Sequence, residues 1–115
     1  MEEYALIMRH EDGKKVATPG QLEEWMKQTR EWIDPIQKQG KFVSGTGLLF
    51  ENAKVVKAES LKINIIEGPF GISSQSVGGL IIVRAGSVEE AVEFAKGSPV
   101  LQGEGNSVEV RKIAK

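Results

Sequence analysis

The chain has no cysteine and a single histidine among its 115 residues. Without thiols there is no disulfide framework, no thiolate for zinc and no thiol nucleophile. One imidazole and scattered carboxylates give no metal-ligand spacing, so no metal or cofactor is expected. No G-x-S-x-G elbow occurs, which excludes the usual serine nucleophile. Charge of neither sign dominates: 15 Lys and Arg stand against 16 Asp and Glu, a net charge of −1. That balance excludes the basic field that holds nucleic acid. No apolar run approaches the ~18 residues that mark a membrane span. The acidic start Met1-Glu2-Glu3-Tyr4 lacks the profile of a secretory leader, so a cytoplasmic location is expected. Repeats, low-complexity tracts and long linkers are missing too, and 1–115 reads as one domain.

What is present is ordered by apolar pattern. Tyr4-Ala5-Leu6-Ile7-Met8 is apolar at every position, the mark of a strand buried on both faces. Arg9 to Gly13 reads as a polar turn. Thr18-Pro19-Gly20-Gln21 opens a helix, with Thr18 as N-cap and Gln21 closing a capping box. Leu22, Trp25, Met26, Thr29, Trp32, Ile33 and Ile36 then recur at spacings of three and four, one apolar stripe. Gly40 ends the helix, and Pro35 should kink its last turns. A strand over 41–50, a hairpin over 54–57 and 61–66, and a second all-apolar strand over 77–83 follow. In the hairpin Leu61, Ile63 and Ile65 alternate with Lys62 and Asn64, which predicts a half-exposed strand. Ser87-Val88-Glu89-Glu90 opens a second helix as a capping box, with Val88, Ala91, Val92 and Ala95 as its buried face. Residues 106–113 form a last strand.

This order predicts an α+β, ferredoxin-like β-α-β-β-α-β fold with an extra hairpin and an antiparallel sheet. The sheet order is then fourth, first, third, second, which puts the two doubly apolar strands at the centre. Two helices cover one face. A second copy of the chain, packed sheet to sheet, is the simplest cover for the other. The alternative cover is the chain's own hairpin.

Glu67-Gly68-Pro69-Phe70 with Val77-Gly78-Gly79 downstream resembles the YCII-related family, in its branch with an Asp-Gly-Pro-Phe motif. The resemblance extends over Gln39-Gly40, Ser44-Gly45-Thr46-Gly47-Leu48, Ser87-Val88-Glu89-Glu90-Ala91 and Val108-Glu109-Val110-Arg111. It implies a dimeric α/β barrel. Glu67 stands where the branch has Asp. Ile72, Ser74 and Gln75 stand where it typically has Glu, Lys and Glu, and Thr29 where it often has histidine. The family's His–Asp pair has no counterpart.

Candidate chemistry falls on few residues. His10 is the default proton carrier, with Asp12 or Glu67 as carboxylate partner if this is an acid–base enzyme. In its polar turn His10 should titrate near the ordinary value, raised slightly by Asp12. Glu67 is expected to bind turn amides or pair with Arg111 or Arg84, and Phe70 to fill the core or a dimer seam. Arg9, Arg84 and Arg111 form an anion rim or pair with Glu109. Trp25 and Trp32, seven apart, share a helix face and pack or stack on a ligand. Arg9, His10, Trp25, Glu67, Phe70, Ser74 and Arg111 make the candidate ligand set. The first reading is a homodimeric module binding a small apolar-bodied molecule between sheet and helices. Acid–base enzyme and purely structural dimer are the alternatives.

Overall fold

The computed structural model describes residues 1–12, 18–70 and 75–114. Ser74, with Gly13, Ile72 and Ser73, lies outside the described residues. The elements are β1 (Glu2–His10), α1 (Pro19–Lys38), β2 (Phe42–Gly47), β3 (Lys54–Glu59), β4 (Lys62–Glu67), β5 (Ser76–Ala85), α2 (Val88–Lys96) and β6 (Ser107–Lys112), with a 3₁₀ turn at Pro99–Gln102 before β6. Four strands form one antiparallel sheet in the order β2-β5-β1-β6, and β3 and β4 form a separate two-stranded sheet. The doubly apolar strands are the central pair, as the pattern required.

The core lies on the helix side. Tyr4 and Leu6 of β1 and Ile81, Val83 and Ala85 of β5 pack with Ile36 of α1 and with Ala91 and Ala95 of α2. Side chains alternate across a strand, so Ala5, Ile7, Leu80 and Ile82 point to the opposite face. The register sets Ile7 opposite Leu80 and Ala5 opposite Ile82, with Ser44 and Thr46 of the edge strand β2 beside them. Among the described residues no helix covers this face. The hairpin does not cover it either: every residue of β4, and every residue of β3 except Val55, is exposed. A strand expected to be half exposed is therefore exposed at every position.

Helix starts follow the sequence closely. Thr18 Oγ1 accepts from the Gln21 amide at 3.2 Å, and the Gln21 side chain accepts from the Thr18 amide at 2.9 Å. At α2 the Ser87 hydroxyl accepts from the Glu90 amide, but Glu90 accepts from the Gly86 amide rather than closing the box on Ser87. Its other oxygen takes Lys41 at 2.8 Å. α1 runs on through Pro35. Only its C-terminal half is seated, with Ile36 buried and Trp32 and Ile33 partly so. Leu22, Trp25 and Met26 are exposed, as are Val88 and Val92 of α2. Trp32 Nε1 donates to the Phe94 carbonyl at 2.8 Å and ties the two helices together.

Candidate functional site

The register of β1 against β5 slips between Met8 and Arg9: Met8 faces Gly79, and Arg9 faces Val77. Gly78 is the extra residue of this bulge. Bulges re-aim side chains and recur beside functional sites. Here the bulge seats His10, which lies on the helix face by alternation from Leu6 and Met8. A Cβ on Gly78 would lie 2.4 Å from His10 Nε2, so only glycine leaves room for the ring as placed. Phe50 meets the imidazole edge to face at 5.3 Å between centroids, and Trp25 of α1 lies at 6.4 Å, tilted. Trp25 is 41% exposed, and His10 itself is only partly buried.

This corrects the expected polar turn. His10 is the last residue of β1, half buried between aromatic rings, and burial lowers its pKa below the ordinary histidine value. The cause is loss of hydration of the imidazolium. Asp12 occupies an exposed position just past the strand. Phe50 and Gly78 are the site residues that the sequence reading missed. A glycine pair inside an otherwise apolar strand was the available signal, since such glycines mark bulges or close approach.

The remaining candidates are placed elsewhere. Arg9 points to the open sheet face, where its Nη2 donates to Glu109 at 2.8 Å and its Nη1 to the Gln75 carbonyl at 3.1 Å. Arg111 sits on the same face opposite Ala5. Arg9 first, and Arg111 to a lesser degree, hold the Glu109 carboxyl below its usual range. Arg84 lies 3.8 Å from Glu3. The arginines thus line the open face with acidic neighbours. Glu67 meets neither Arg84 nor Arg111. It closes the base of the hairpin by pairing with Lys54, its cross-strand neighbour. Phe70 does not fill the core of this chain: it is 77% exposed, and its carbonyl accepts from Ser76 Oγ at 2.9 Å. The Gly68–Pro69 bond before it is cis.

Gln75 ties the strand ends around this corner together. Its side chain donates to Glu11 at 2.8 Å and accepts from Ser107 Oγ at 3.3 Å. The Glu11 amide in turn donates to Asn106. Among the described residues no group of three or more His, Asp or Glu side chains could hold a metal ion. No helix among them is long and apolar enough to cross a membrane. A shallow depression between Lys27, Arg30, Glu31 and Asp34 belongs to α1 alone. No second element closes it, and its two signs of charge select no ligand.

The four-stranded antiparallel sheet with two helices on one face makes this an α+β protein compatible with a ferredoxin-like fold. The chain belongs to the YCII-related family, whose domain model matches residues 3–114. No curated protein matches it.

Proposed function

We propose that this YCII-related protein is a homodimeric module that binds a small, apolar-bodied molecule in the cleft between its sheet and α1. The reading places the chain in the Asp-Gly-Pro-Phe branch, as one domain in the cytoplasm. The observation that carries it is the seat of His10: an imidazole held half buried between Trp25 and Phe50 by a strand bulge that needs Gly78. The rings offer flat apolar contact, and the imidazole offers one polar anchor, the usual composition of a small-ligand site. The burial-lowered pKa favours the neutral ring at pH 7, which both donates and accepts a hydrogen bond. Arg9 and Arg111 belong with the second copy, on the open sheet face. Glu67 closes the hairpin base with Lys54, and the Phe70 carbonyl is held by Ser76, the cross-strand neighbour of His10.

The test uses indole and benzoate as probes, one neutral and one anionic. Either should shift the His10 Hε1 resonance saturably at millimolar concentration. Trp25→Ala should weaken that binding at least tenfold while the chain stays folded. Failure of both probes to saturate, or an unchanged affinity in Trp25→Ala, would refute a ring-lined site at His10.

A further inference from the structure

The β3–β4 hairpin is amphipathic, and among the described residues its apolar face has no partner. Val56 pairs with Ile65 and Ala58 with Ile63. By alternation these four share one face, with the Lys54–Glu67 pair at its base. Lys57, Glu59, Lys62 and Asn64 lie on the other face, with Val55 and Ile66. Val56, Ile63 and Ile65 are 67%, 74% and 71% exposed. A lone two-stranded hairpin is marginal in water, and a contiguous exposed apolar face marks an interaction surface. The arm does not fold back on its own body. The radius of gyration is 15.5 Å, where about 13 Å is expected of a chain this long.

We infer that this arm is a clasp whose occupant is a second copy of the same chain, an inference that rests on the homodimer reading above. Two arguments select that occupant. The centre of the open sheet face is Ala5, Ile7, Leu80 and Ile82 with the small Ser44 and Thr46. A stable interface needs about 800 Å² from each partner; the apolar part of this face is these six small or medium side chains, and Arg9, Arg84, Glu109 and Arg111 make up the charged remainder. The arm supplies further apolar area from the same chain. A two-fold axis gives each copy one arm and one surface to receive it, so the contact is isologous and closes.

The chain has no cysteine, so one introduced thiol reports one face. In the dimer, Ile65→Cys should react with a maleimide at least tenfold more slowly than Asn64→Cys, one residue away on the polar face. On dilution to monomer the two rates should converge. Ile63→Lys should raise the dimer dissociation constant at least tenfold in sedimentation while the circular dichroism spectrum is kept. Equal labelling rates in a sedimenting dimer, or unchanged association of Ile63→Lys, would overturn the clasp and leave the sheet-to-sheet dimer standing. A wild-type chain that sediments as a monomer at micromolar concentration would overturn the dimer reading, and the clasp with it.

Discussion

Gly78→Ala isolates the coupling between the bulge and the imidazole. The new methyl would lie 2.4 and 2.5 Å from Nε2 and Cδ2 of His10 and 3.4 Å from Phe50 Cζ. The first two approaches are far inside van der Waals contact, so the ring must leave. Overpacking of this kind costs about 1–3 kcal/mol. His10 is only partly buried, so the imidazole can swing toward water and the cost should fall near the low end, about 1 kcal/mol. For a domain of this size that lowers the melting temperature by about 4 °C. Removal of the ring removes the clash, so a cycle with His10→Ala should show a coupling of about 1 kcal/mol. Gly79→Ala is the control. Its methyl meets the Thr46 carbonyl oxygen at 3.0 Å, backbone that cannot step aside, and His10→Ala should not rescue it. NMR titration of the single histidine gives the second readout. Expelled into water, His10 should regain a pKa near ~6.5. A Gly78→Ala protein with unchanged melting and unchanged His10 titration would refute the seat.

Two further outcomes follow from burial and charge. Ile81, 2% exposed against the helices, should not tolerate Asp: an unpaired buried carboxylate costs several kcal/mol of a stability of ~5–15. On the proposed homodimer reading, Ile82→Asp on the open face should keep the fold and sediment as a monomer, and Lys62→Asp should change melting by less than about 0.5 kcal/mol; an Ile82→Asp chain that still sediments as a dimer beside a dimeric wild type would refute the face assignment. Stability should also fall as pH drops from about 7 toward 5. The folded pKa of His10 lies below its unfolded value of ~6.5, so the unfolded chain binds more protons in that window. Glu90 and Glu109 have lowered pKa values, so their contribution is present above ~4.3 and is lost as pH falls below it. His10→Gln should flatten the upper part of a melting-versus-pH curve and leave the lower part; an unchanged upper slope would show the imidazole to be hydrated in the fold.

The sheet was legible because its signals are local and strong. Runs apolar at every position occur twice, and both became central strands. The order β2-β5-β1-β6 followed from their placement. The Thr18 box was legible for the same reason, being set by residues three apart. The site was less so. Histidine at the end of a polar-looking run reads as solvated, and its burial depends on Phe50 and Gly78, forty and sixty-eight positions away. The approach of Gly78 is created by a register slip that no pattern of period two contains, and Phe50 lies beyond the end of β2. Glu67 found its partner through hairpin register, with Lys54 directly opposite, a closer claim than that of any arginine on the main sheet. Alternation in β4 was read correctly, but alternation says which side chains share a face. It does not say that a face has a neighbour.

The edge strand β2 has a consequence for the protein at high concentration. Its residues Phe42-Val43-Ser44-Gly45-Thr46-Gly47 carry no charge, whereas β6 at the other edge carries Glu109, Arg111 and Lys112. Charged side chains are the common defence against lateral strand addition. What β2 has instead is a register irregularity between Phe42 and Ser44 and two glycines, which are weak strand formers. Gly45 is fixed by the core, since a Cβ there would come within 2.8 Å of Ile81. Gly47 meets nothing within 4 Å, so packing leaves it open to replacement. A β-branched residue at position 47 would straighten and lengthen an uncharged edge, and fibrillar association would be the cost of a locally better strand. Glycine at this position keeps the end of that uncharged edge a weak strand former.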